Sequence, residues 1–536
     1  MHRCLQIPEL VAEICSHLPT EKYGLRRVGD LVVLARTSKL FSSHALALVW
    51  QSINLMDLLC RLPRDCFVLK KSENAFRVIK ITMRPRRRLR DSDFERVLFY
   101  CPYIQHLGVN ARFRDVTPML SGADGRLSQS VFPVLRGLGW THEGHDSDVE
   151  LIKDLLTPHL TELRIHSASL ELLKSLSTLG SLCPHLQDLH FSYPLGMSLG
   201  EHSSKESALS ECLRGLHCIE NMTADTLDEV ALQHLSGLPT LRELHFNDMG
   251  FLTLPVPDED EEEDKTSFPS LQKLYFSTWY IESPSLLLAF CRNSPVVELT
   301  VELSGELCTT EDMELFFLSA ELGISHSSLK EFTFYHDLEL DTDGPVRPPV
   351  DPLAHIIAFD SLRELCQFHH LVSVYILSGV GVDLDDDTIF HMARSWPHIE
   401  RLELRSHHGT ASPRATLRCL KSFNQFCTKL TKLCMPFDAT IGVLPAVLTV
   451  WQCVPLESLK ELDVEGSPIT EVHVKSVARY FAYLFPRLKM LETLVDSLEG
   501  ETEREEQLIP EALGYHPHWK TVAGILNLRG GDEAKD

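Results

Sequence analysis

One short arrangement of apolar and polar positions recurs along the chain: proline, one residue, leucine, two mostly polar residues, leucine, one residue, then another apolar one. It reads CPYIQHLGV from Cys101, FPVLRGLGW from Phe132, TPHLTELRI from Thr157, CPHLQDLHF from Cys183, LPTLRELHF from Leu238, FPSLQKLYF from Phe268, WPHIERLEL from Trp396 and FPRLKMLET from Phe485. Weaker copies begin at Phe76, Leu213, Val296, Leu329, Leu371, Leu430 and Leu459. The 15 copies, from Phe76 to Leu488, span 412 residues, an average step of about 29. Each copy predicts one strand, with its leading proline at the entry because proline brings no donor to a ladder. Between the copies, helical spacing marks 169–179, 224–235, 283–291, 310–322, 386–395 and 470–484.

A single strand and helix cannot bury this row of leucines, so the copies must stack and close a core together. The period and the L-x-x-L-x-L centre are the leucine-rich-repeat signature. The expected fold is therefore an α/β solenoid, a horseshoe with a parallel sheet on its concave side and helices on its convex side.

Composition narrows the setting. Apolar residues make up 44%, and the net charge of −24 gathers at 258–264 (DEDEEED) and in the tail. That balance argues against nucleic-acid backbones and anionic membranes as partners. The acidic run reads as a solvated loop inserted near 255–266 between repeats. A basic run, RPRRRLR at 84–90, reads as a solvated loop, with nuclear import or an acidic partner as the other reading. Fifteen cysteines include no C-x-x-C pair, and Cys101, Cys183 and Cys427 fall just before repeat strands, which suits buried thiols rather than zinc or disulfides. No stretch is long enough to span a bilayer, and no secretory leader is evident, so a reducing compartment, cytoplasmic or nuclear, is expected.

The first fifty residues follow another rule. Ile7, Leu10, Val11, Ile14 and Leu18 recur at helical spacing around Pro8, which suits a helix's first turn. After a loop at 19–29, a second helix starts at Asp30 with Leu31, Val32, Leu34 and Ala35 on its apolar side, and a third runs over about 42–49 to Trp50. So small a core needs something to pack against. The elements Ile7-Pro8-Glu9, Ile14, Leu18, Asp30-Leu31, Ser38-Lys39-x-Phe41 and Val49-Trp50 together resemble the F-box. The chain departs from that pattern in its leading isoleucine and a first loop about five residues longer. An F-box followed by leucine-rich repeats is similar to the F-box/leucine-rich proteins of fungi. The organisation expected is an F-box-like domain over 1–55, a solenoid over 56–495 and an acidic segment or cap over 496–536.

The resemblance implies a substrate-recognition subunit of a Skp-cullin-F-box ubiquitin ligase. It implies that Ile7, Pro8, Glu9, Ile14, Leu18, Leu31, Leu34 and Trp50 meet the Skp adaptor, and through it a cullin, while the repeats hold a protein substrate of unknown identity. Independently of the family, a groove-binding helical surface needs apolar anchors its own domain leaves unburied, and Pro8, Ile14, Leu18 and Leu31 are candidates. The alternative for these anchors is packing on the first repeat at 76–81.

Along each repeat strand the residues between the leucines face the concave side. Glu162, Arg164, His190, His245, Tyr275, Glu331, Arg401 and Glu403 are the candidate substrate contacts in that polar row. His190 and His245 are expected about two strand spacings of roughly 4.8 Å apart, too far to share an ion, so no metal is expected. No phosphate loop, nucleophile elbow or H-E-x-x-H occurs, and H-E-G-H at 142–145 lacks the helical zinc spacing. The aspartates around Asp383 and Asp387 read as a helix cap rather than a calcium loop, lacking its glycine and closing glutamate. No catalytic residue and no cofactor are expected. A repeat scaffold without ubiquitin chemistry is the alternative; a GTPase-activating role would need a presented arginine, and nothing singles out Arg164 or Arg401.

Overall fold

The structure, a computed structural model, describes residues 7–17, 28–71, 79–83, 90–110, 131–141, 146–193, 199–249, 266–305, 307–336, 352–406, 413–441, 454–497 and 510–528. Leu18, the acidic run at 258–264, the basic run up to 89 and the histidines of 142–145 lie outside them. The chain divides into two compact units, Met1–His234 and Leu235–Asp536.

In the first unit, α1 (Pro8–Ser16), α2 (Val28–Thr37) and α3 (Lys39–Trp50) gather around four buried residues, Val11, Cys15, Leu31 and Ala45. Leu34, Ala35, Leu40, Phe41, Leu48 and Val49 pack against these. Pro8 lies in the first turn of α1, where a missing N–H costs nothing. The Ser38 hydroxyl caps α3 by accepting from the Leu40 N–H. At the end of α3 the Trp50 indole stacks on Tyr100 with ring centroids 3.9 Å apart, and the Arg61 guanidinium lies 5.3 Å from the indole. The Gln51 carbonyl accepts from the N–H groups of both Gln105 and His106, each at 2.9 Å. The chain thus passes from α3 into the sheet strand Ser52–Asn54 without a linker.

Six parallel strands follow in chain order in this unit: Ser52–Asn54, His106–Asn110, Gly137–Thr141, Glu162–His166, Asp188–Phe191 and Asn221–Ala224. Their register stacks Leu107, Leu138, Leu163, Leu189 and Met222 as direct neighbours. Among the described residues the second unit has nine such strands, besides a separate parallel pair of Ile357–Ala358 with Val382–Asp383: Glu243–Met249, Lys273–Thr278, Glu298–Leu303, Glu331–His336, Ser373–Ser378, Arg401–Ser406, Lys432–Cys434, Glu461–Asp463 and Met490–Glu492. Leu244, Leu274, Leu299, Phe332, Val374, Leu402, Leu433, Leu462 and Leu491 form its ladder. Every one of these is buried, as are the inward sides of intervening helices such as Thr310–Gly323, Asp386–Ser395 and Glu471–Leu484. Each unit is an α/β solenoid of the leucine-rich-repeat type.

The proline of the repeat marks the turn into its strand, as its place before each copy predicts. In the copies at Cys101, Phe132, Thr157, Cys183, Phe268, Trp396 and Phe485, the carbonyl before proline accepts from the N–H three residues on, at 3.0 to 3.3 Å. Proline therefore occupies the second position of a tight turn, where its fixed φ is already correct, and the strand begins several residues later. The buried cysteines in this position are inert: Cys101 and Cys183 are both pushed up to about 12 by burial.

Two expected copies are not solenoid strands. The Phe76 copy falls partly outside the described residues, and Ile79–Met83 pairs antiparallel with Phe67–Lys71 in a separate two-stranded sheet. The Leu213 copy ends the helix Leu199–Leu213, and the strand forms at Asn221–Ala224 from IENMTA, with Ile219, Met222 and Ala224 buried. The sheet also starts at Ser52, ahead of the expected boundary at 55. No helix among the described residues is long and apolar enough to cross a membrane.

Beyond the last strand, the helix Pro510–Ile525 packs on Glu471–Leu484. Its Trp519 is buried, stacks on Phe481 at 6.0 Å, meets Phe437 edge-on and donates from Nε1 to the Ser467 carbonyl at 2.8 Å. The terminal segment thus closes the open end of this unit's core. Trp519→Ala is expected to cost the second unit about 3–5 kcal/mol, read as a lower urea midpoint; an unshifted midpoint would show that the helix closes nothing.

Candidate functional site

Two surfaces carry the residues that could bind a partner. On the helical cluster, α1 turns Val11 and Cys15 inward and leaves Ile7, Leu10 and Ile14 exposed at i, i+3 and i+7. Glu9 is exposed in the same helix, and Val32 and Val33 of α2 are exposed as well. Two expected anchors are corrected. Leu31 is fully buried in the cluster's own core, and Trp50 is 6% exposed against Tyr100, so both hold the cluster together rather than reach outward. Leu34 is half-buried against the same core. Among the described residues four are buried in this cluster, and they take only the Val11 and Cys15 side of α1.

The second surface is the strand face turned away from the helices. In the first unit, Glu162 is paired with Arg164 at 2.7 Å and with His106 at 3.3 Å, and the His190 ring lies 4.9 Å from His166. In the second unit, His245 stacks on Tyr275 at 5.5 Å, and Tyr275 donates to Glu302. Burial holds the His245 imidazole below its usual range, so it is neutral near pH 7. Lys273 bridges Glu243 at 3.6 Å and Glu298 at 3.5 Å. Glu331 and Arg401 are exposed at the first outward positions of their strands, Glu331 in register beside Glu298 and Arg401 beside Lys432.

Glu403 belongs to a set of charges from which sequence reading missed Arg405 and Glu465, while Lys432, Cys434 and Asp463 fall in the outward row by strand alternation. Arg401–Ser406 is long enough to put Arg401, Glu403 and Arg405 on the outward face. Arg405 reaches across the neighbouring strand: Nη1 lies 2.9 Å from Asp463 Oδ2 and 3.3 Å from Glu465 Oε1, and Nε lies 3.1 Å from Glu403 Oε2. Lys432 holds the other Glu403 oxygen at 3.0 Å, and the Cys434 thiol donates to Glu465 at 3.3 Å. Asp463 and Glu465 are each 2% exposed. Glu465 has φ 51°, a left-handed backbone that a glutamate adopts at a cost, and its N–H donates to Asp463 Oδ1 at 2.9 Å.

Burial, and then the Asp463 charge, push the Glu465 carboxyl up to about 8, while burial also raises Cys434 well above an ordinary thiol. Cys434, Asp463 and Glu465 present ligand atoms within 4.8 Å of one another, a spacing a metal ion could use. The Arg405 guanidinium already lies against both carboxylates and supplies the cation from within the chain. This chemistry is that of a brace between strands, and the thiol is held in its unreactive form. The signal for Arg405 was present in ERLELRS, whose alternation runs two residues past the repeat's core phrase. At Asp385 the expected cap is realised, with Oδ1 accepting from the Thr388 N–H at 2.9 Å.

The fold and these surfaces define a leucine-rich-repeat solenoid protein with a helical cluster at its start. No family model matches the chain, and no curated protein matches it. Among solved structures, the crystal structure of the Rad7 and Elc1 complex in yeast is similar over 94% of this chain and 90% of that chain, at 12% identity and a TM-score of 0.28. That likeness is too slight to bear on activity or partners.

Arg405→Ala leaves the buried Asp463 carboxylate without its 2.9 Å cation and is expected to cost about 3–5 kcal/mol, measured by urea unfolding. Glu465 binds its proton more tightly folded than unfolded, so its contribution is fully present below about pH 4.5 and is lost as pH rises toward about 8. Glu465→Gln should flatten that stretch of a stability-versus-pH curve; an unaltered slope would place the titration elsewhere.

Proposed function

We propose that the chain is a substrate-recognition subunit of a Skp-cullin-F-box ubiquitin ligase. The helical cluster binds the Skp adaptor, and through it a cullin, while the outward strand face holds a protein substrate. The observation that carries this reading is the exposed apolar stripe Ile7, Leu10 and Ile14 on a cluster whose sequence resembles the F-box. An apolar stripe on a small, independently buried core is what a helix needs to enter a partner's groove. Leu31 supports the same role by holding the cluster together, and Trp50 by seating it on Tyr100. In this reading the chain performs no covalent step. It contributes proximity and orientation, which require a stiff mount, and it works in the cytoplasm or nucleus, where that machinery operates.

Purified Skp-type adaptor tests the reading. Wild-type chain should capture it, and the double substitution Ile7→Asp, Ile14→Asp should reduce capture at least tenfold with the circular dichroism spectrum unchanged. Equal capture by both proteins, or by neither, would leave a repeat scaffold without ligase function as the better account.

A further inference from the structure

The helix Thr310–Gly323 turns Met313, Phe316, Phe317, Ala320 and Gly323 to the core, where Phe317 packs 5.6 Å from Phe332. Its other side carries Leu315, Leu318 and Leu322 at i, i+3 and i+7, exposed by 59%, 42% and 65%. The helix Glu282–Phe290 packs beside it and adds Leu286, 40% exposed. Gly323 makes that approach possible, since a Cβ there would lie 1.9 Å from the Leu288 carbonyl oxygen. Single surface leucines are ordinary, but four on two adjoining helices make a patch that ordinary solvation does not explain.

The charge on the two helices themselves has one sign, while Arg363, between the next elements packed against Thr310–Gly323, is paired with Asp360. These two helices contain Glu282, Glu311, Asp312, Glu314 and Glu321 and no lysine or arginine. Asp312 is spent in the capping box with Thr309, and Glu321 pairs with His326 at 3.1 Å. Glu282, Glu311 and Glu314 are left exposed at the rim.

We infer that this helix face is a docking surface for an amphipathic helix of another protein, apolar along one side and flanked by lysine or arginine. Leucines at i, i+3 and i+7 match the spacing of such a helix, and the acidic rim matches its basic flanks. A second copy of this chain would bring an identical acidic rim against the first, and an anionic membrane would be repelled by it. The inference is independent of adaptor binding by α1.

The test uses the full chain and a fluorescein-labelled synthetic helix with leucine at i, i+3, i+4 and i+7 and lysine elsewhere, followed by anisotropy at about 0.15 M salt. Wild type should bind it, the triple substitution Leu315→Ser, Leu318→Ser, Leu322→Ser should weaken binding by about tenfold or more, and Val472→Ser, at another exposed apolar position, should not. No binding by wild type, equal binding by the triple variant, or equal binding of a peptide with its leucines replaced by serine would overturn the inference. So would dimerisation, or flotation with phosphatidylserine vesicles, that the triple variant abolishes. Should the triple variant melt early, hydrogen exchange of wild type decides: absence of peptide-dependent protection over Thr310–Gly323 sinks the proposal.

Discussion

Each repeat depends on the next one because its central leucine has no other place to be buried. Leu163 is covered by Leu138 on one side and Leu189 on the other, and the pattern continues strand by strand within each unit. This nearest-neighbour burial makes local identity negotiable: Met222 or Phe332 can stand in the ladder where leucine usually does. Aromatic rings pack near the start of the first unit, where Trp50 lies against Tyr100, and beyond the strand Met490–Glu492 of the second, where Trp519 lies against Phe481.

The inward row was legible because its demand is the same in every repeat. Thirteen copies read from the sequence are strands of the solenoid, since burial forces leucine or a near equivalent into fixed positions. The two misplacements have physical causes. At Leu213 the apolar spacing satisfied a helix's inner face as well as a strand, and the true strand used methionine and alanine. In the Phe76 copy the described part, Ile79–Met83, is a strand, but the repeat phrase does not say which sheet receives it.

The outward row was less legible because nothing periodic constrains it. Tyr275, His245 and Glu403 fall where strand alternation put them, yet alternation cannot distinguish a solvated glutamate from one buried beneath an arginine two strands away. Arg405, Asp463 and Glu465 meet only because three strands are stacked, a fact of register rather than of any local phrase. On the helical cluster the same limit appears in reverse. Helical spacing showed which residues of α1 and α2 are apolar, but only packing separates Leu31, which faces in, from Ile14, which faces out.

The junction after α3 has a mechanical meaning. With Trp50 held by Tyr100 and Arg61, and the carbonyl of the following residue gripped by two amides, no swivel separates the helical cluster from the first strand. Whatever grips that cluster therefore holds the early repeats by a rigid handle, and torque applied at α1 is delivered to the sheet instead of being dissipated in a tether.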